Sequence, residues 1–423
     1  MGRYSSGDKR PTGLKPVKKI ELSEKSTKLR IVLVIVALII ALVAFGFAIA
    51  SLLDVESGWK TVEVTGIDTN CSNDFIFNYD LGRDGTSADI EYREITALYT
   101  DLTVLAYKLF NEYDEFSDVY SVAYINNHAN EKIKVDPALY RALSKFVTDG
   151  GRYIYAAPIY DAYEGMFFGY NGSVHTETYD PYLDRETADY FAEITGYTSD
   201  KNHITLEFFE DSHIRLNVSS EYLAYAEENG ITAFVGFMWL KNAFIIDYLA
   251  DSLEAKGYTN GTLSSYDGFT RNLDKRGGEY KYNLYDRYGN TVYQAASMSY
   301  TEPLAIVYLK DYMLDEEDIW HYYESTDGRI ITPHIDNSDG LYKNAAHNIV
   351  SYADELGCAD ILLRILPIYI AEELDPAAVN SLTDDGIYSI WGDNLTLIYN
   401  EEDLKTGDLY QRDGVQYSVR YEN

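Results

Sequence analysis

The sequence predicts a single α+β body with a mixed or antiparallel sheet, preceded by one N-terminal transmembrane helix. Three observations predict this class. The 423 residues are 46% hydrophobic, which is enough to build a core and excludes global disorder. Residues 31–53 form one uncharged apolar run. Beyond residue 90, helix-type and strand-type patterns interleave without the regular strand–helix–strand repeat of a parallel sheet.

The membrane segment is predicted from residues 31–53, because about 23 helical residues span a hydrocarbon core of ~30 Å. Residues 1–30 hold nine Lys/Arg and three Asp/Glu, and such a basic tail stays in the cytoplasm. We therefore expect a single-pass cell-membrane protein with its body outside the cytoplasmic membrane. Two alternatives remain open: a cleaved signal peptide, because Ala48-Ile49-Ala50 resembles a cleavage site, and a buried core helix.

The charge is distributed unevenly along the chain. The formal net charge is −33, and the basic tail contributes +6, so the remainder carries −39. An acidic body argues against electrostatic binding of nucleic acid, which needs clustered Lys and Arg. The two Cys exclude a disulfide-stapled scaffold. Cys71 and Cys358 could pair outside the cell, although a buried free thiol is the favoured reading for each.

The body is expected to consist of a stalk with a first strand, residues 54–90, followed by one domain, residues 91–423. Apolar spacing of three and four residues, together with capping residues, predicts helices at 98–109, after Asp136-Pro137, at 241–256, and after an N-cap at Asp354 with Pro367 near its end. Alternating or short apolar runs predict strands at 61–64, 75–77, 204–208, 214–218, 233–237, 387–390 and 395–399, and a hairpin around residues 288–290.

Short sequence motifs alone do not define a chemistry. The chain has no Walker loop, no GxGxxG after a strand, no HExxH, no GxSxG and no CxxC pair. The seven His are scattered, so a His-rich zinc site is not expected.

Four stretches in a fixed order nevertheless form a larger pattern. They are residues 119–126 with 133–136 and Gly150-Gly151-Arg152-Tyr153, then residues 236–243 with Asp247, then residues 263–268, and then His334-Ile335-Asp336 followed by Ala359-Asp360. This pattern resembles the FAD:protein FMN transferases, the ApbE-like flavin transferases. Residues 236–243 are similar to the family's Leu-Gly-Gly-x-Ala-Lys-Gly-Tyr motif, and Ala359-Asp360 is similar to its Ala-Asp-x-x-x-Thr metal motif. The resemblance covers residues 95–405.

The resemblance implies a reaction and its cofactors. The family cleaves FAD at the pyrophosphate and passes FMN to a Thr hydroxyl of an acceptor protein. It therefore implies FAD, Mg²⁺ and a flavin-accepting redox protein as partner, since Mg²⁺ neutralises charge that develops on phosphate oxygens. By position, Asp360 is the metal carboxylate, and Leu240 supplies a backbone carbonyl to the metal.

The resemblance also implies residues that contact the flavin nucleotide. Asp267 and His334 match catalytic positions close to the nucleotide. Together with Lys241 and Ser265 they form the implied cofactor-binding set. Simpler readings remain open for three of the matched residues: a helix-start acid for Asp360, a hydrogen-bonding loop residue for His334, and a solvated helix start for Lys241.

Several substitutions depart from the family pattern. Asn242 replaces a Gly, and Ser265-Tyr266 replace a Gly-Gly pair that lets backbone approach the nucleotide. Arg364 replaces the metal-contacting Thr. Four residues apart on a helix, Asp360 and Arg364 are expected to form an ion pair at the Mg²⁺ position. We therefore consider an active transferase, an inactive binding domain, and an unrelated adhesin or scaffold.

Overall fold

The computed structural model describes residues 55–422 apart from 65, 67, 68, 84, 170, 171, 174 and 175, together with 32, 35, 36, 38, 40 and 41. The chain separates into two units, Met1–Val55 and Glu56–Asn423. The predicted membrane segment 31–53 lies outside the described residues except at those six positions, and the basic tail lies outside them entirely. No helix built from described residues is long and apolar enough to cross a bilayer.

Helices and strands alternate irregularly along the second unit, as expected for an α+β body. Its helices are α1 (Ala88–Leu109), α2 (Val122–Asn127), α3 (Pro137–Asp149), α4 (Ala157–Phe167), α5 (Arg185–Ser199), α6 (Ser220–Asn229), α7 (Lys241–Glu254), α8 (Cys358–Tyr369) and α9 (Pro376–Ser381). Its strands are β1 (Gly58–Thr61), β2 (Phe75–Leu81), β3 (Lys132–Lys134), β4 (Ile204–Phe209), β5 (His213–Val218), β6 (Gly261–Ser265), β7 (Phe269–Asn272), β8 (Tyr280–Tyr288), β9 (Thr291–Tyr300), β10 (Ala305–Lys310), β11 (Tyr323–Glu324), β12 (Ile330–Ile331), β13 (Asn348–Ala353), β14 (Tyr388–Asp393), β15 (Thr396–Tyr399), β16 (Lys405–Gly407), β17 (Gln411–Arg412), β18 (Val415–Gln416) and β19 (Ser418–Tyr421).

The main sheet has nine strands in the order β1-β2-β6-β7-β10-β13-β14-β15-β19. Its pairs are antiparallel except β15 with β19, which is parallel, so the sheet is mixed as the sequence predicts. Two smaller three-stranded sheets, β3-β5-β4 and β16-β9-β8, accompany it. Helices α7 and α8 contact each other, and both contact β7 of the main sheet. The start of α7 is therefore held firmly by the core.

Local signals predicted several elements well. Asp136 caps α3 by accepting the Ala138 N–H at 2.7 Å, and Pro137 occupies the first helical turn. The hairpin turn between β8 and β9 contains Gly289 at φ +62°, a left-handed conformation that favours glycine. Both cysteines are buried and free, which confirms the preferred reading of the two thiols.

Residues 233–237 do not form the predicted strand. The segment is buried but irregular, because the side chain of Asn126 satisfies its backbone. Asn126 Oδ1 accepts the N–H groups of Phe234 and Val235, both at 3.0 Å, and its Nδ2 donates to the Val235 carbonyl at 2.9 Å. An apolar run can thus be buried without a neighbouring strand when a side chain supplies its hydrogen bonds.

The predicted N-cap at Asp354 is also wrong. Strand β13 continues to Ala353, and α8 begins only at Cys358. The reason is a cap contributed by another helix: the Asp247 carboxylate of α7 accepts the N–H groups of Cys358 and Ala359, both at 2.8 Å. Arg271 donates to the same carboxylate at 2.6 Å. Pro367 lies inside α8, two residues before its end.

Candidate functional site

The candidate site is a cleft formed around the first residues of α7. It consists of a cavity of about 490 Å³ and an adjoining cavity of about 530 Å³. Five residues line both cavities: Asn73, Asp74, Asn242, Asp267 and His321. The walls come from the end of α1 and the loop after it, from α4, and from the turn that joins β6 to β7. Of the residues implied by the motifs, Lys241 and Asp267 lie here.

The turn that leads into α7 is held by a buried acid. Glu112 Oε1 accepts the N–H groups of Phe237 at 2.6 Å and Met238 at 3.0 Å, and Met238 adopts a left-handed φ of +53°. A Cβ on Gly236 would lie 2.8 Å from Glu112 Oε2, so a larger residue there would displace the Glu112 carboxylate. Burial raises the pKa of Glu112, although the positive charge of Lys241 opposes this.

Asp267 and Asn242 form the floor shared by the two cavities. Asn242 Nδ2 donates to Asp267 Oδ2 at 3.0 Å. The other oxygen of each side chain, Oδ1, is shielded from solvent and has no hydrogen-bond partner among the described residues. Burial raises the pKa of Asp267 to about 6. Asn242 therefore orients the Asp267 carboxylate, while its own Oδ1 stays shielded from solvent.

Asp74 and His321 also line both cavities. Burial raises the pKa of Asp74, and the charge of Asp267 raises it further. His321 has an Nδ1 without a partner among the described residues, and burial lowers its pKa below 6.5. It is consequently neutral near pH 7. A buried pair behind it, Lys310 with Asp318 at 2.5 Å, anchors the 3₁₀ turn that precedes it.

Ser265 lies at the end of β6, outside the set of residues that line the cleft. Its hydroxyl accepts the Phe269 N–H at 2.9 Å and closes the turn between β6 and β7. Tyr266, the next residue, is 64% exposed and lines the second cavity. Tyr266 therefore places an aromatic ring at the rim of the cleft.

His334 lies in the core beneath the cleft. It is 1% exposed, and its Nδ1 contacts Asn344 Oδ1. Its ring packs edge-to-face with Trp239 and Tyr369, with ring centroids 4.8 Å and 5.0 Å apart respectively. Burial lowers the pKa of His334 to about 3, so it is uncharged at all physiological pH values. It supports Trp239, which lines the cleft, and does not itself line it.

Asp360 and Leu240, the residues implied for the metal, lie apart from the cleft lining. Asp360 Oδ1 forms an ion pair with Lys145 of α3, and its Oδ2 accepts the Gly357 N–H at 3.3 Å. The predicted Asp360–Arg364 ion pair does not form, because Lys145 takes the carboxylate and Arg364 pairs with Asp385 at 3.5 Å. Leu240, at the N-cap of α7, is 1% exposed.

The residues present do not fit Mg²⁺ at Asp360. An ammonium group and a backbone N–H already use the carboxylate, whereas Mg²⁺ needs free carboxylate oxygens. No group of three or more His, Cys, Asp or Glu is placed to hold a metal ion in the described part of the chain. The pyrophosphate of FAD fits the cleft poorly as well, because the charged side chains of the described lining are acidic except for Lys241.

Sequence reasoning missed Glu112, Asp74 and His321. No local signal marks them, because each reaches the cleft from a segment that is distant in sequence from α7. The backbone partners of Glu112, for example, lie 125 and 126 residues further along the chain.

The architecture defines the class of protein: the chain has the fold of the ApbE flavin transferases. The crystal structure of the ApbE protein from Thermotoga maritima covers 83% of this chain and 97% of its own, with 14% identity and a TM-score of 0.54. The flavin transferase ApbE from Vibrio cholerae has the same two coverages, with 12% identity and a TM-score of 0.52. No family model and no curated protein matches the sequence. The predicted resemblance is thus confirmed for the fold.

Proposed function

We propose that this protein is a membrane-anchored, extracytoplasmic relative of the flavin transferases that has lost Mg²⁺-dependent FMN transfer and acts as a binding domain. One observation carries the proposal. The carboxylate implied for the metal, Asp360, is neutralised by Lys145. A cleft is present around Lys241 and Asp267, which supports binding without turnover.

The electrostatics of α8 support this proposal. In the implied reaction, a metal ion would reduce the repulsion between a pyrophosphate and nearby carboxylates. Lys145 forms an ion pair with the Asp360 carboxylate, and the carboxylate of Asp247 accepts hydrogen bonds from the first N–H groups of α8. A helix N-terminus whose N–H groups are already bonded has little capacity left for a phosphate.

An active transferase is the second candidate, since Lys241 and Asp267 lie together in the cleft as the family motifs imply. In that case the partner would be a flavin-accepting redox protein outside the cytoplasm, and FAD and Mg²⁺ would be required.

The deciding experiment uses the full chain with FAD, MgCl₂ and a flavin-acceptor protein, and follows covalent flavin by in-gel fluorescence. We expect no transfer by the unmodified protein. Replacing Lys145→Met should raise the Mg²⁺ affinity measured by calorimetry, because it frees the Asp360 carboxylate. Lys201→Met, at an exposed position, is the matched control and should change nothing. Robust Mg²⁺-dependent transfer by the unmodified protein would refute the proposed loss of activity.

The proposed location rests on the basic tail and the apolar run at 31–53. Protease added to intact cells should digest the acidic body and spare the tail. Recovery of a soluble protein that begins near Ser51 would instead identify a signal peptide.

A further inference from the structure

A third cavity lies beside the cleft, along one side of α4. Its volume is about 390 Å³, and small-molecule sites typically measure roughly 300–1,000 Å³. Three aromatic residues, two acids and a glycine line it, namely Tyr113, Phe168, Trp320, Asp161, Glu164 and Gly165. None of the residues implied by the family motifs belongs to this lining. We call it the aromatic cavity.

The two exposed aromatic side chains of this cavity are held in place by their neighbours. The Tyr113 hydroxyl donates to Glu164 Oε2 at 2.8 Å. A Cβ on Gly169 would lie 2.6 Å from the ring of Trp320, so the indole packs directly against the backbone of this glycine. Phe168, the third aromatic residue, is buried. The aromatic surface is therefore formed before a ligand binds, which lowers the entropic cost of binding.

The charge of the aromatic cavity is negative. Asp161 and Glu164 lie three residues apart on α4, so their side chains share one face of the helix. No lysine, arginine or histidine is among the described residues that line the cavity. Burial and the negative charges of Glu112 and Glu164 raise the pKa of Asp161 to about 7. A cation bound here would offset this repulsion between carboxylates.

Aromatic rings combined with carboxylates suit one class of cation in particular. The face of an aromatic ring attracts a positive charge, and quaternary ammonium ligands are recognised in this way. A quaternary ammonium group has no N–H, so it needs no hydrogen-bond acceptor from the protein. A metal ion would need several ligand atoms, and no group of three or more His, Cys, Asp or Glu is so placed in the described part of the chain.

We propose that the aromatic cavity binds a small cation with a trimethylammonium group, of the choline class. Tyr113, Phe168 and Trp320 supply the aromatic surface, and the carboxylates of Asp161 and Glu164 supply the opposite charge. A phosphate next to the ammonium would meet the same carboxylates, so the ligand is a free choline-like cation and not a phosphocholine headgroup. The inference goes beyond the proposed function and does not depend on it, because the aromatic cavity contains none of the motif residues.

The test is calorimetric titration of the full chain at pH 8, where Asp161 is ionised, with choline, ethanolamine and phosphocholine. Ethanolamine has the same skeleton as choline but a primary ammonium group. We expect choline to bind at least tenfold more tightly than ethanolamine, and more tightly than phosphocholine. No binding of choline at millimolar concentration, or equal affinities for choline and ethanolamine, would overturn the inference. Phosphocholine binding as tight as that of choline would overturn the assignment to a free cation.

A glycine in the lining allows the cavity to be filled. A Cβ on Gly165 would meet nothing within 4 Å, so Gly165→Leu places a side chain in the cavity without a clash at its first carbon. Choline binding should fall at least tenfold in this variant. Gly196→Leu is the matched control, because Gly196 is also an exposed helical glycine whose Cβ would meet nothing within 4 Å. It should leave choline binding unchanged.

A second pair of variants tests the aromatic surface. Trp320→Leu should weaken choline binding at least tenfold, whereas Trp59→Leu should not. The two tryptophans are 48% and 47% exposed, and Trp59 lies on β1, outside the cavity. Gly165→Leu covers the case in which Trp320→Leu fails to fold, as judged by circular dichroism. Unchanged choline binding in either folded cavity variant would overturn the inference.

Discussion

Asn126 provides the sharpest test of how the turn into α7 is built. Its side chain is 4% exposed and makes three hydrogen bonds to the irregular segment 233–237. Asn126→Ala leaves two N–H groups and one carbonyl of that buried segment without partners. At about 1 kcal/mol for each group as a minimum, the loss in the free energy of unfolding is about 3 kcal/mol. That corresponds to roughly a 100-fold shift of the folding equilibrium.

The assay is urea unfolding of the full chain, followed by tryptophan fluorescence. Asn127→Ala is the control, because this neighbour is exposed and its side chain donates to Glu115 at 2.6 Å on the surface. Its cost should stay within about 0.5 kcal/mol. A loss below about 1 kcal/mol in Asn126→Ala, or equal losses in the two variants, would show that the segment does not depend on this side chain.

Three further predictions follow from backbone geometry, burial and charge. Gly268→Ala should lower the melting temperature more than Gly230→Ala: both have positive φ, but only at residue 268 would the Cβ lie 2.4 Å from a carbonyl oxygen of β10. Asp267→Asn should stabilise the protein more at pH 7 than at pH 4.5. The pKa of Asp267 is about 6 in the folded state and 3.8 ordinarily, so ionisation of Asp267 lowers the free energy of unfolding as the pH rises from about 4 to 6, and Asn removes this loss. An equal gain in melting temperature at the two pH values would contradict this. Cys71 and Cys358 should react slowly with a thiol reagent at pH 8 and rapidly in urea, because burial raises the pKa of both; fast labelling of the native chain would show that they are accessible.

The elements that the sequence predicted correctly are those with local causes. The Asp136 cap and the turn around Gly289 each depend on a few neighbouring residues. Residues 233–237 and the start of α8 depend instead on distant side chains, Asn126 and Asp247, which lie 108 and 111 residues away in sequence from their first backbone partners. A local pattern contains no information about such a partner.

The candidate site was likewise predicted in part. The motif residues Lys241 and Asp267 lie in one cleft, as the family resemblance implies. Helix spacing predicts Arg364 as the partner of Asp360, whereas the structure supplies Lys145, which is 215 residues away in sequence. The spacing of four residues permits an ion pair on a helix, but tertiary packing decides which cation is nearer.

The parallel pairing of β19 with β15 has a consequence for solubility. Leu397 and Ile398 of β15 are buried at 1% and 3% exposure, and β19 occupies the hydrogen-bonding side that would otherwise be the margin of the main sheet. An uncovered apolar edge strand is a template for intermolecular pairing and aggregation. The four mostly exposed residues of β19, which include Arg420, therefore cover the apolar edge strand β15. A chain that ends before Ser418 would expose β15 as an aggregation-prone edge without losing any residue of the cleft.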